Sequence, residues 1–173
     1  VLGDDNESTM NAASNLANTH ADMENYDAAL PLMTESLERK RRLLGDDNAN
    51  TLTSMGNLAG LHDGMGRNDL ALPLFRDALQ RKRRVLGSRH PSTLYTMAAM
   101  GNSLVLCGGS ERAEGIALLE EAVAGNTAVL GADHPTTQFD REELDRVMGE
   151  HSDDADDDDG DVDEEEEQEE QQQ

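Results

Sequence analysis

Two basic runs are the first residues to weigh for chemistry. Arg39-Lys40-Arg41-Arg42 and Arg81-Lys82-Arg83-Arg84 are identical runs and hold 8 of the 14 basic side chains. Near the end of a helix such cations favour the negative end of the dipole. Exposed side by side, they would form a ridge able to hold an acidic partner. The chain carries one candidate itself: the stretch from Asp153 to Glu170 is almost wholly Asp and Glu. A run of like charge with almost no apolar residues cannot offset its own ordering entropy, so residues 151–173 are predicted to be a disordered acidic tail. It acts either as a solvating tail or as a decoy lying over the basic ridge. The second role works only within a Debye length of about 8 Å.

Catalytic chemistry finds little support. His20 and His62 recur with the same spacing as the basic runs and fit side chains packed between helices. His90 and His134 precede prolines in successive loops. Cys107, the single cysteine, is expected to be a buried, inert thiol, because no positioned base recurs beside it. One cysteine also excludes an intrachain disulfide and a cysteine-based zinc cluster. No phosphate-binding loop, paired-carboxylate pocket or metal-ligand spacing occurs. The expectation is a protein that is not an enzyme and needs no cofactor. Nucleic acid is disfavoured by a net charge of -23, by aromatic residues at 2% without Trp, and by the loss of the basic run at Gly125-Asn126-Thr127-Ala128. No apolar stretch approaches a membrane span and no signal-peptide pattern opens the chain. The expected partners are proteins or peptides, with no nucleic acid, membrane or small-molecule substrate, and the expected location is cytoplasmic.

The elements that position these residues repeat. Leu2-Gly3, Leu44-Gly45, Leu86-Gly87 and Leu130-Gly131 recur at a near-constant interval, in step with Thr9, Thr51, Thr93 and Thr137. A fixed period of this size implies stacked supersecondary units. In the second unit, Asn48 or Asn50 can cap a helix running to about Asp63, with Leu52, Met55, Leu58, Ala59 and Leu61 at helical spacing. Gly64 and Gly66 interrupt it. A second helix is expected from about Asp69 to Leu86, with Leu70, Leu74, Ala78, Leu79 and Val85 inward, Pro73 near its first turn and Gly87 ending it. Small residues mark where helices cross: Ala17, Ala59 and Gly101 at one position, Ala29 and Ala71 at another, Ser36, Ala78 and Ala122 at a third. Leu16, Leu58, Met100, Met33, Phe75 and Leu119 are expected to fill the layers between.

The pattern Asn-Leu-Ala, then Gly-Arg-Asn-Asp-Leu-Ala-Leu-Pro-Leu-Phe, then Val-Leu-Gly-x-x-His-Pro-x-Thr-Leu resembles the tetratricopeptide repeat in the lengthened form of kinesin light chains. Leu58-Ala59, Gly66, Ala71, Phe75 and Ala78 match its landmarks. Glu24 stands where a turn glycine is usual, and the third unit carries a short insertion around Cys107–Arg112. The resemblance implies an all-α, right-handed solenoid. Residues 1–7 would end a preceding repeat, so the chain is read as a fragment. Residues 8–45, 46–87 and 88–131 would be three repeats and 132–150 a capping helix, with Leu144 at the layer position and Asp145 opposing further stacking.

The family's first helices line a concave groove that takes a peptide. Carried onto this chain, the groove residues are Asn11, Asn15, Asn18, Thr53, Asn57, Tyr95 and Asn102. An Asn amide both donates to and accepts from a peptide backbone; the alternative is that these are ordinary solvated helix residues. No Lys or Arg is expected on this face, so a clamp for a carboxylate is not expected. The function implied is a protein–protein interaction adaptor of kinesin-light-chain-like type, with cargo adaptors or a motor heavy chain as partners. The rival is a charge-driven chaperone or scaffold for basic proteins, working through the acidic tail.

Overall fold

The computed structural model describes the backbone of residues 7–153 and the side chains of 8–149. The acidic run beyond Asp153, and the role assigned to the first residues as the end of a preceding repeat, lie outside the described residues. Seven helices are described: α1 (Glu7–Asp22), α2 (Tyr26–Leu44), α3 (Ala49–Gly64), α4 (Asn68–Val85), α5 (Pro91–Cys107), α6 (Glu111–Leu130) and α7 (Pro135–Asp153). Contacts are densest within the pairs α1–α2, α3–α4 and α5–α6. Each second helix then packs on the first helix of the next pair, and first helices touch across units. This is an all-α solenoid.

The turns inside the pairs share one left-handed residue. Glu24, Gly66 and Gly108 have φ of 57°, 69° and 72°, at equivalent positions of successive units. Glycine adopts this backbone freely and glutamate only at a cost, so the first pair keeps the turn geometry with a strained residue. The loops between pairs share a cap instead. Asn48 accepts a hydrogen bond from the Asn50 N–H through its side chain at 2.8 Å. His90 Nδ1 accepts from the Ser92 N–H at 3.1 Å, and His134 Nδ1 from the Thr136 N–H at 3.2 Å. The two His-Pro loops therefore recur because imidazole replaces asparagine as a helix cap.

Two clusters form a continuous core. Ala17, Ala29, Met33, Leu37, Leu52, Met55 and Leu58 pack in one. Ala59, Ala71, Phe75, Leu94, Met97, Met100, Leu119 and Val147 pack in the other, and Leu74 packs against both. The crossing positions are as small as the sequence implies: Ala17, Ala29, Ala59 and Ala71 are fully buried. The third pair crosses closer still. A Cβ on Gly101 would lie 2.9 Å from the Gly115 carbonyl oxygen, and one on Gly115 would lie 2.7 Å from that of Gly101. Only glycine at both places permits this approach.

Several inward assignments need correction. Leu70 and Val85 are exposed, at 45% and 44%, and Ala71, Phe75 and Lys82 take the buried side of α4. Ala78 and Leu79 are buried as expected and Leu74 partly so; only the two ends of the expected stripe, Leu70 and Val85, turn outward. Pro73 lies beyond the first turn of α4, because the helix starts at Asn68. It removes a helical hydrogen bond to Asp69, and both residues are exposed. Leu16 is 51% exposed while its equivalents Leu58 and Met100 are buried, since no described helix packs on the outer side of α1. Cys107 is exposed, not buried; it ends α5, and its Sγ accepts from the Asn68 amide at 3.1 Å. The capping helix runs on to Asp153, past the expected boundary at 150. Asp145 is exposed, and Leu144 is partly buried against the core.

Candidate functional site

The basic runs are divided by the helix they sit on. Lys40 and Lys82 turn inward and are 3% and 1% exposed. Lys40 Nζ donates to Ser14 Oγ at 2.9 Å and Ser54 Oγ at 2.8 Å. Lys82 Nζ donates to Thr96 Oγ1 at 2.7 Å and to the Ser92 carbonyl at 3.2 Å. Burial depresses the Lys82 ammonium from its ordinary value to about 8. The third unit keeps the contact with other chemistry: Asn126 Nδ2 donates to Asp140 Oδ2 at 2.6 Å, with both residues buried. Lys40–Ser54, Lys82–Thr96 and Asn126–Asp140 have the same sequence separation, and each joins a second helix to the next first helix. They are rungs of a buried polar ladder between units.

Lys40 and Lys82 are therefore not part of an exposed ridge. Among the arginines, Arg39 pairs with Glu35, Arg41 with Asp46, Arg81 with Asp77 and Asp47, Arg83 with Glu121 and Arg84 with Asp47. Arg42 is exposed. Most of the expected positive ridge is thus already matched by acids of the folded stack. Arg84 and Arg81 tie α4 to the loop before α3, and Arg83 ties α4 to α6.

The first helices line two adjoining cavities. One, of about 400 Å³, is bordered by Asn18, Asn57 and Tyr95 of the expected groove set, with Gly56, Gly60, Gly64, Asp22 and Tyr26. The other, of about 620 Å³, is bordered by Tyr95 and Asn102, with Phe139, Asp140, Asn126 and Leu130. Tyr95, 64% exposed, borders both. Asn57 Nδ2 donates to Asn18 Oδ1 at 3.2 Å, so these two amides orient each other across units. Asn102 Oδ1 is buried without a partner. Asn11, Asn15 and Thr53 border neither cavity. Thr53 turns its hydroxyl back to the Ala49 carbonyl at 2.8 Å, and Asn15 is exposed. The equivalence of Asn15 and Asn57 thus holds in the repeat but not in surroundings, because Asn57 has a helix pair on both sides.

Phe139 and Asp140 escaped the reading of the sequence. Phe139 is the next unit's equivalent of Tyr95, and Asp140 that of Thr96. The same alignment that sets Thr93 against Thr137 would have found both. Burial raises the Asp140 carboxyl above the usual aspartate range, and the Asn126 hydrogen bond opposes that rise. His62 is partly buried with Nδ1 unpartnered; burial first and the Arg67 charge second pull its pKa below the ordinary imidazole value. No helix among the described residues is long and apolar enough to cross a membrane.

Tetratricopeptide repeat family models match residues 8–84 and 93–136, together more than half of the chain. No curated protein matches it. Among solved structures, a kinesin-light-chain-type protein with nearly identical TPR-like repeats from Podosopora anserina is 22% identical, with a TM-score of 0.76 over 84% of this chain and 68% of that one. A single-substitution variant of that protein is also 22% identical, with a TM-score of 0.74 over 85% and 68%. BtubC (BKLC) from P. vanneervenii is 14% identical, with a TM-score of 0.68 over 83% and 58%. At these identities the likeness is one of fold. With the repeat matched along both stretches and the helix pairs stacked as described, the chain belongs to the tetratricopeptide repeat family.

Proposed function

We propose that this chain is a protein-interaction module without catalytic activity, capturing a peptide segment of a partner along its first-helix groove. The observation that carries this reading is the pair of adjoining cavities meeting at exposed Tyr95, with the mutually bonded Asn18 and Asn57 amides on the wall of one of them. Helices already packed in place lower the ordering cost of binding, which favours capture of an extended or helical segment. By resemblance to kinesin light chains, the partners would be cargo adaptors or a motor heavy chain, and the setting cytoplasmic and cytoskeleton-associated.

The test is selection of binders from displayed random peptides against the full chain, followed by affinity measurement. Asn18→Ala with Asn57→Ala is expected to weaken the selected peptides at least tenfold while helical circular dichroism is unchanged. Affinity unaltered by this pair of changes removes the groove from the mechanism. Loss of all binding on deletion of residues 152–173 would favour the acidic tail, and with it the reading as a chaperone or scaffold for basic proteins.

A further inference from the structure

The cavity between α5, α6 and α7 has one carboxylate in its wall and, among its lining residues, no cation to match it. Asp140, 7% exposed, borders it; Oδ2 accepts from Asn126, and Oδ1 has no hydrogen-bond partner among the described residues. Asn102 borders the same space, with Oδ1 buried and unpartnered. Among the described residues no Lys or Arg side chain lines it. A buried carboxylate without a cation or a second donor is costly, and a ligand supplying both would relieve that cost. The remaining lining is apolar, including Leu130 and Pro135. Tyr95 and Phe139 border the cavity as well, and they are 64% and 60% exposed in a chain with only 2 Tyr and 2 Phe. Exposed aromatic faces beside a buried acid suit a cation carried on an apolar stem.

We infer that this cavity takes a lysine or arginine side chain of a partner polypeptide, its stem along Leu130 and Pro135 and its charged end at Asp140. An ammonium brings three donors and a guanidinium five, and either supplies the donor that Asp140 Oδ1 lacks. An acidic side chain would meet Asp140 as a like charge and be rejected. That the cation arrives on a partner polypeptide rests on the groove reading proposed above; that the cavity selects a cation does not.

The two are separated by probing the full chain with small compounds. Amide chemical shifts in nitrogen-15 spectra are followed during titration with Nα-acetyl-arginine amide, Nα-acetyl-norleucine amide and Nα-acetyl-glutamate amide. The arginine probe is expected to shift Tyr95, Asn126 and Phe139, and to bind at least tenfold more tightly than the norleucine probe. The glutamate probe is expected to leave these three signals unmoved. Asp140→Asn, close in shape, is expected to reduce arginine binding to the norleucine level. Tyr95→Leu and Phe139→Leu alter exposed side chains and keep apolar bulk, so they are expected to weaken the arginine probe several-fold with the fold intact. Equal binding of arginine and norleucine, no effect of Asp140→Asn, or arginine shifts spread over the acidic surface would each overturn the inference. Failure of the peptide selection with a positive arginine titration would remove the groove reading and leave the cation site standing.

Discussion

At the scale of the residue, the buried Lys82 rung carries a consequence for stability against pH. Lys82 is depressed to about 8 in the folded chain, against an ordinary value near 10.5. Between those values the unfolded chain holds a proton that the folded chain has released, so stability rises with pH through this window. Below about 8 the folded state bears the burial penalty in full, and above about 10.5 the penalty is gone. The span corresponds to roughly 3 kcal/mol at most. Urea unfolding at pH 7 and pH 10 is expected to show this gain in the native chain and its loss in Lys82→Met. Thr96 Oγ1 keeps its bond to the Ser92 carbonyl in that variant, so the rung is not left without a partner. Parallel pH profiles for the two proteins would mean that Lys82 remains hydrated. Glu24 offers a second residue-scale test. Its φ of 57° places a side-chain-bearing residue where the equivalent turns have glycine. Glu24→Gly is expected to raise stability by about 1 kcal/mol through relief of left-handed strain; a lower thermal midpoint would show that the Glu24 side chain stabilises the turn in another way.

At the scale of the element, the third pair differs from the first two in how closely its helices cross. Ala17 with Ala29, and Ala59 with Ala71, occupy the positions that Gly101 and Gly115 occupy in α5 and α6. Gly115→Ala gains about 1 kcal/mol of helix propensity. It also drives a Cβ to 2.7 Å from the Gly101 carbonyl oxygen and 2.9 Å from the Val105 side chain. Overpacking of this kind costs about 1–3 kcal/mol, and backbone atoms yield less readily than a side-chain end. The expected result is a net loss of stability by thermal denaturation, and a gain would show that the pair can widen to the alanine spacing of its neighbours. Element boundaries were readable from the sequence to within a few residues, because caps and turn residues recur at fixed places. The placement of the two end residues of the α4 stripe was not. Leu70 and Val85 advertise burial by type, yet the α3–α4 crossing at Ala59 and Ala71 turns them outward. At the margin of a helical stripe residue type alone does not decide burial, since a lysine stem such as that of Lys82 is apolar over most of its length.

At the scale of the molecule, stability passes from unit to unit through neighbouring contacts. The α7 cap covers the last pair: Val147 is fully buried, and Arg112 donates to its carbonyl at 2.7 Å. Removing residues 135–173 is expected to expose the apolar side of α5 and α6 and to speed hydrogen exchange there before it changes in α1 and α2. Uniform acceleration along the stack would mean that the units unfold as one. The sequence by itself determined the period, the helix pairs, the crossing positions and the class of fold, because each of these is written in local spacing that every unit repeats. Only the tertiary structure decided that Lys40 and Lys82 lie inside, that Cys107 lies outside, and that Tyr95, Asn102, Phe139 and Asp140 border one cavity. Those outcomes depend on contacts between units, where residues many positions apart meet and the crossing of two helices settles which side of each is hidden.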